Sequence, residues 1–430
     1  MTVRNVVTAF LRFCLRLFYR RIEVMGAEQV PEGAVIFAVN HPNGLVDPLF
    51  VLSFAPLPVS FLGKAPLFGY PVIGWFVRAF DTIPVYRKQD GTSGSNTETF
   101  ARARQVLEQH GSIAIFPEGT THDDPQLRAL KTGAARIALG ASVDELTIVP
   151  TGIYYTAKQA FRSSALVAFG RPFHVRPVAC DASGEPPAAE VLRVTAEIEG
   201  GLDRVTVQAD SHAAFDLIAR AEDIFSGDEH QPLAQEFDLR RRFTEGYHFL
   251  RERDPRRLES LQSKIARFEA ELNRARLEVH ELRPSIGAAR LFRLLVLLPL
   301  AAAGIVSHYL TYRLVDALAH RFSNGEGNLV ATVKFIAALA FYPLTYALLA
   351  SLAGLRWGAL AAIATLVIVS FTGYVALRTL EELDDVVGDL RAVAHSLFRG
   401  YGHRRLIVQR DAIRDEILAV AREMSGSAHN

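Results

Sequence analysis

The chain reads as an α/β domain with a mixed sheet, followed by a helical membrane region at the C-terminal end. Three observations predict this. Between residue 30 and about 180, short apolar runs alternate with helical stretches, the signature of strands and helices in one layered domain. Three apolar stretches then follow at 291–312, 329–353 and 357–377, each close to the roughly 20 residues that cross a bilayer. Finally, the hydrophobic fraction of 50% stands at the top of the soluble range, and its excess falls in that last third.

The composition bounds what the domain can do. The 430 residues carry a net charge of +1, which gives no pull toward nucleic acid. Cys14 and Cys180 match no zinc spacing and cannot form a disulfide framework, which suits a reducing compartment.

Taken in order, residues 3–21 read as amphipathic. Val7, Phe10, Leu11, Cys14, Leu17 and Phe18 share one helical face, and Arg12, Arg16 and Arg20 recur opposite. Arginines interrupt the apolar run and no small-residue cleavage site follows, so the segment is not a signal peptide. It is expected to be a membrane-associating helix over 1–24 that does not span; a surface helix packed on the next domain is the alternative. Strands are expected near 34–39, 59–62, 82–85, 113–116, 147–153 and 165–169, with a helix over 97–109 and re-entry to the sheet at Gly111. Pro177, Gly184, Pro186 and Pro187 open a helical linker region, 181–256, helical from 188 to 224 with breaks near Gly200 and Gly201 and without assigned chemistry.

Leu258, Leu261, Ile265, Phe268, Leu272, Ala275, Val279 and Leu282 are spaced three and four apart, a heptad-like helix over 257–284 ended by Pro284 and Gly287. A homodimer through 258–282 and a helix packed on its own chain explain that stripe equally. Transmembrane helices are expected within 288–378, with a tight hairpin at 354–356 and Arg293, His308 and Lys334 near segment ends. Arginine-rich segments flank the region on both sides, so the positive-inside rule asks for an even number of crossings. Two are expected, the first stretch lying in the interface or re-entering, with 379–430 a charged cytoplasmic tail.

Four clusters carry chemistry. In Asn40-His41-Pro42-Asn43-Gly44-Leu45-Val46-Asp47-Pro48 an imidazole leaves an apolar strand and a turn returns a carboxylate toward it. Such a carboxylate fixes the tautomer and stabilises the imidazolium, which makes His41 a general base. Asp81-Thr82-Ile83-Pro84-Val85-Tyr86-Arg87 is a strand ending in an arginine able to grip phosphate through two hydrogen bonds, with Lys88 beside it. Ile115-Phe116-Pro117-Glu118-Gly119-Thr120-Thr121 ends a buried strand in a turn whose Gly119 and Thr120 amides are expected to face an anion or hydroxyl while Glu118 orients a donor. His122-Asp123-Asp124 reads as a solvated loop rather than a metal site. Lys131-Thr132-Gly133 opens a small-residue helix through Leu139 and offers positive charge to a phosphate or to a donor's phosphopantetheine arm. No Gly-x-Ser-x-Gly elbow is present: Gly91-Thr92-Ser93-Gly94-Ser95 lacks the final glycine and reads as a flexible loop.

These clusters, with Val149-Pro150 after them, resemble the four ordered blocks of the PlsC-like glycerolipid acyltransferase superfamily, the glycerol-3-phosphate and 1-acylglycerol-3-phosphate acyltransferases. The likeness covers about 25–175, and the phrasing of the first two blocks is closest to the yeast-type glycerol-3-phosphate enzymes. The fold it implies is a mixed-sheet acyltransferase domain over 25–180. The activity it implies is transfer of an acyl group from acyl-CoA or acyl-carrier protein to a hydroxyl of glycerol-3-phosphate or lysophosphatidate in phospholipid synthesis. No other cofactor and no metal are implied. His41 would be the base and Asp47 its partner; Arg87, Glu118, Gly119, Thr120 and Lys131 would bind substrate. Five residues rather than the usual four separate His41 from Asp47, which shifts the carboxylate, and Asp81 stands where the second block commonly begins with glycine. Membrane lipids are the further expected partners, and a bacterial inner membrane with a cytoplasmic catalytic domain the expected location. The rival reading is a catalytically silent lipid-binding or scaffold protein that retains the fold.

Overall fold

A computed structural model describes residues 3–69, 71–86, 96–182, 184–227, 231–282, 287–323, 325 and 327–427. The chain forms two compact units. The first comprises Met1–Ser211, Leu233–Phe237 and Gly325–Thr332; the second comprises His212–Pro232, Asp238–Asn324 and Val333–Asn430.

The first unit opens with α1 (Val3–Phe18) and β1 (Arg21–Met25), then β2 (Val35–Val39), α2 (Val46–Phe54), β3 (Val59–Lys64), α3 (Pro71–Ala79) and β4 (Ile83–Val85). It continues with α4 (Asn96–Glu108), β5 (Ser112–Ile115), α5 (Gly133–Leu139), β6 (Leu146–Tyr155), β7 (Ser164–Phe169), β8 (Phe173–Val175) and α6 (Ala188–Asp203). Among the described residues the strands make one eight-stranded sheet in the order β1-β7-β6-β2-β5-β3-β4, with β8 also on β6. Pairing is parallel from β6 through β2, β5 and β3 to β4 and again between β1 and β7, whereas β7 and β8 run antiparallel to β6. The mixed α/β sheet is the fold class that the sequence predicts.

Val35, Ile36, Phe37, Ala38 and Val39 are all fully buried, because β2 lies mid-sheet with a covered layer on each face. On one face Ile36, Ile113 and Ile148 meet Leu107 of α4, Ile137 of α5 and Val194, Ile198 and Leu202 of α6. The segment 188–203, expected as linker, is therefore part of this core. Gly200 and Gly201 do not break α6. A Cβ on Gly201 would meet the Pro150 ring at 2.3 Å, so the bare backbone is what lets the helix seat on β6.

Two strands and one helix depart from expectation. Residues 21–25 form an edge strand, 173–175 a short one, and the turn after His41 passes into α2 at Val46. Helix α1 packs through Leu11, Leu15 and Phe18, and Arg12, on the face opposite the expected apolar one, donates from Nε (2.9 Å) and Nη2 (2.5 Å) to Ser53 O at the end of α2. The outward apolar stripe is Val6, Phe10, Phe13 and Leu17.

The second unit is helical: α7 (His212–Ser226), most of α8 (Leu233–Arg253), α9 (Pro255–Ala275), α10 (Ala288–Phe322), most of α11 (Gly327–Trp357), α12 (Ala359–Phe398) and α13 (Gly400–Ser427). Asp254 accepts from Arg257 N at 3.1 Å to cap α9, and Pro255 fills its first turn. The heptad-like stripe ends earlier than expected, at Ala275, because Arg276 turns left-handed (φ 55°). Leu258, Leu261, Ile265, Phe268 and Leu272 are buried against Ile224, Leu250, Leu406, Ile413 and Val420, so this stripe is spent inside the chain. Residues 400–427, expected as a charged tail, supply the covering helix α13.

Helices α10, α11 and α12 are each long and apolar enough to cross a membrane. Gly358 alone separates α11 from α12, where a hairpin at 354–356 is expected. Lys334 pairs with Asp316 (3.1 Å) and Arg293 with Glu382 (2.8 Å). His308, expected near a segment end, lies inside α10 and bonds the Tyr346 hydroxyl at 3.1 Å.

Candidate active site

The site is built where β2 leaves the sheet. Asn40 takes over the pairing there, accepting from Ile153 N (2.7 Å) and donating to Ile153 O (3.2 Å), which anchors the start of the turn to β6. Val46 N donates to Asn43 O (3.0 Å) as α2 begins, and this sets Asp47 in the first helical turn. Five intervening residues still close the pair: His41 Nδ1 lies 2.9 Å from Asp47 Oδ2.

Asp47 is fully buried and accepts at both oxygens. Its Oδ2 also accepts from Asn43 N (2.7 Å), and its Oδ1 accepts from the Tyr155 hydroxyl (2.7 Å). Burial pushes the Tyr155 phenol well above its usual range and the Asp47 charge pushes it further, so Tyr155 stays a protonated donor. Facing a carboxylate oxygen, His41 places its proton on Nδ1 and leaves Nε2 as the base. The imidazole is only partly shielded, at 15% exposure, and stacks on the Phe116 ring at 4.1 Å between centroids.

Glu118 closes the other side. It is buried, its Oε1 accepts from His41 N (3.0 Å), and its Oε2 accepts from Arg128 N (3.0 Å) and from His122 Nε2. Both oxygens hold protein, so Glu118 braces the turn that carries the base. His122 is not in a solvated loop; it is buried, and its Nδ1 accepts from Asp124 N (3.2 Å), which puts the proton on the nitrogen facing Glu118. Asp123 pairs with Lys158, whose carbonyl accepts from Asn43 Nδ2 (3.3 Å).

The Gly119 amide, expected to face an anion, instead donates to Phe116 O (3.0 Å). Gly119 takes φ 71°, and a Cβ there would meet Lys131 Nζ at 2.6 Å, so the lysine chain lies directly over it. Lys131 N in turn donates to Pro117 O (2.8 Å). The structure thus gathers His41, Asp47, Glu118 and Gly119 with Lys131, and Thr120 adjoins them half-buried. Arg87, Lys88 and the 91–95 loop lie outside the described residues. Tyr155, Phe116, Asn43 and His122 were missed as site residues. The four-residue step from Glu118 to His122 was a readable sign; nothing local marks Tyr155, 108 residues from Asp47.

A partly exposed imidazole tied to a buried carboxylate at the ends of parallel strands has the geometry a general base requires, on an α/β scaffold. Residues 21–154 match the family model described as Acyltransferase. Glycerol-3-phosphate O-acyltransferase 2 of Saccharomyces cerevisiae is 32% identical over 37% of this chain and 22% of its own length. An uncharacterized acyltransferase of Schizosaccharomyces pombe is 28% identical over 80% of this chain and 67% of its own. A chloroplastic 1-acyl-sn-glycerol-3-phosphate acyltransferase of Arabidopsis thaliana is 28% identical over 31% of this chain and 37% of its own. The chain thus spans about a fifth of the length of the first of these relatives.

Proposed function

We propose that the protein is a membrane-bound O-acyltransferase that moves a fatty acyl group from acyl-CoA or acyl-carrier protein to a hydroxyl of glycerol-3-phosphate or lysophosphatidate. The observation that carries this reading is the His41–Asp47 pair, closed at 2.9 Å with Nε2 left as base. His41 Nε2 takes the acceptor hydroxyl proton, and the oxygen attacks the thioester carbonyl. The tetrahedral intermediate collapses to an ester and expels the thiolate, which recovers the proton from the imidazolium. Asp47 stabilises that imidazolium throughout, and no acyl-enzyme forms. Arg87 and Lys131 supply positive charge for the acceptor phosphate, and Thr120 supplies a hydroxyl to the same acceptor.

Relatives bearing both enzyme names keep both acceptors in play. The rival scaffold reading rested on the extra residue before Asp47; the closed pair favours catalysis instead. The catalytic domain lies on the cytoplasmic side in this reading, because arginine-rich segments flank the apolar helices on both sides. Helices α11 and α12 make the two crossings.

The test is acyl transfer by purified protein in detergent, offering acyl-CoA and acyl-carrier protein with each acceptor in parallel. One acceptor is expected to give product, and His41→Ala to lower the rate by ~10²–10⁴-fold, the usual contribution of a positioned base. Wild-type product formation that survives His41→Ala unchanged would overturn the reading.

A further inference from the structure

Helix α2 carries Asp47 in its first turn, yet its N-cap is Leu45, among the poorest capping residues, and no side chain of the turn caps it. The Leu45 N–H is nevertheless satisfied. It donates to Thr332 Oγ1 at 3.1 Å, from 287 residues away. This reproduces from a distant segment what the glutamate of a capping box does locally when it binds the N-cap amide.

Thr332 is 7% exposed and Ala331 fully buried, so the bond is sheltered from water. The same segment is seated at a second point. A Cβ on Gly327 would meet Gln159 Nε2 at 2.3 Å and Asp123 Oδ2 at 2.8 Å, so these two side-chain ends lie against the Gly327 backbone. Asp123 pairs with Lys158, whose carbonyl holds Asn43, and it follows His122, which holds Glu118. Gly325–Thr332 accordingly belong to the first unit, although Gly327–Thr332 are the opening turns of the apolar helix α11.

We infer that Thr332 is a positioning residue for the His41–Asp47 pair: its hydroxyl fixes the N-cap of α2 and thereby the angle at which Asp47 meets the imidazole. The inference rests on the acyltransferase reading of the site. Small displacements of a base are costly, since about 1 Å of misplacement can lower a rate ~10²-fold. Thr332→Val keeps the shape and removes the acceptor, leaving the Leu45 amide unpaired.

The expected result is a roughly tenfold fall in kcat for the full-length Thr332→Val protein, with the acceptor KM and thermal midpoint near wild type and activity restored in Thr332→Ser. Wild-type kcat in Thr332→Val would overturn the inference. Carbethoxylation of His41 by diethyl pyrocarbonate, read by mass spectrometry, separates this from the parent reading. If the wild-type protein transfers no acyl group to any acceptor, the proposed function fails, and the labelling rate decides the positioning role alone. A severalfold change in Thr332→Val, absent in Thr332→Ser, upholds it; an unchanged rate ends it.

Discussion

Asp47 shows how much a single carboxylate can organise when three donors converge on it from an imidazole, a backbone amide and a phenol. Removing the phenol tests that convergence. Tyr155→Phe takes away a hydrogen bond to a charged group, worth about 1.5–3 kcal/mol, and is expected to slow acyl transfer by loosening the base. It also has a pH signature. Burial, then the Asp47 charge, raises the folded-state pKa of Tyr155, and burial raises that of Tyr19 as well. Below about pH 10 the phenols are protonated in folded and unfolded chains alike, and their contribution to stability is fully present. As pH rises above that, the unfolded chain releases protons that the folded chain keeps, and stability falls. Denaturant midpoints measured across this range are expected to decline for the wild type and to decline less steeply for Tyr155→Phe. Equal slopes would show that the phenol is not held by the carboxylate.

At the level of elements, periodicity reports that a face is buried and is silent about what buries it. The α9 stripe was legible at Leu258, Leu261, Ile265, Phe268 and Leu272, but its partner α13 lies more than a hundred residues downstream. Phe268 is nearly fully buried in that contact, so Phe268→Ala is expected to cost about 3–5 kcal/mol in a denaturation experiment. A loss below about 1 kcal/mol would mean that α13 does not cover the stripe. Strands β2 and β6 were legible because they are dense apolar runs, and β1 was not, because Arg21 and Glu23 give an edge strand the charge pattern of the preceding helix. Helix α2 was hidden by its apolar residues on all sides, which leave no polar face to set the period. In the site, His41 and Asp47 could be paired from their shared turn. The brace by Glu118 could not, since it depends on β2 and β5 lying side by side and ending together.

For the whole molecule, the proposed path through the membrane turns on segment 325–332. In the reading proposed above, α11 and α12 form the crossing hairpin with its tip at Gly358, and segment 325–332 stays on the side of the catalytic residues it clusters with. Single cysteines in a Cys14→Ser, Cys180→Ser background test this with a membrane-impermeant maleimide on sealed vesicles. Arg356→Cys is expected to label from the face opposite the catalytic domain and His320→Cys from the same face; labelling of both from one face would exclude the hairpin. The Leu45–Thr332 bond also orders events in time. At roughly 5–20 residues per second of synthesis, the 287 residues between its ends separate their emergence by about 15–60 s. The catalytic turn therefore leaves the ribosome well before its buttress. During that interval the first apolar helix also emerges, so in the proposed reading a nascent chain meets its membrane before its base is fully set.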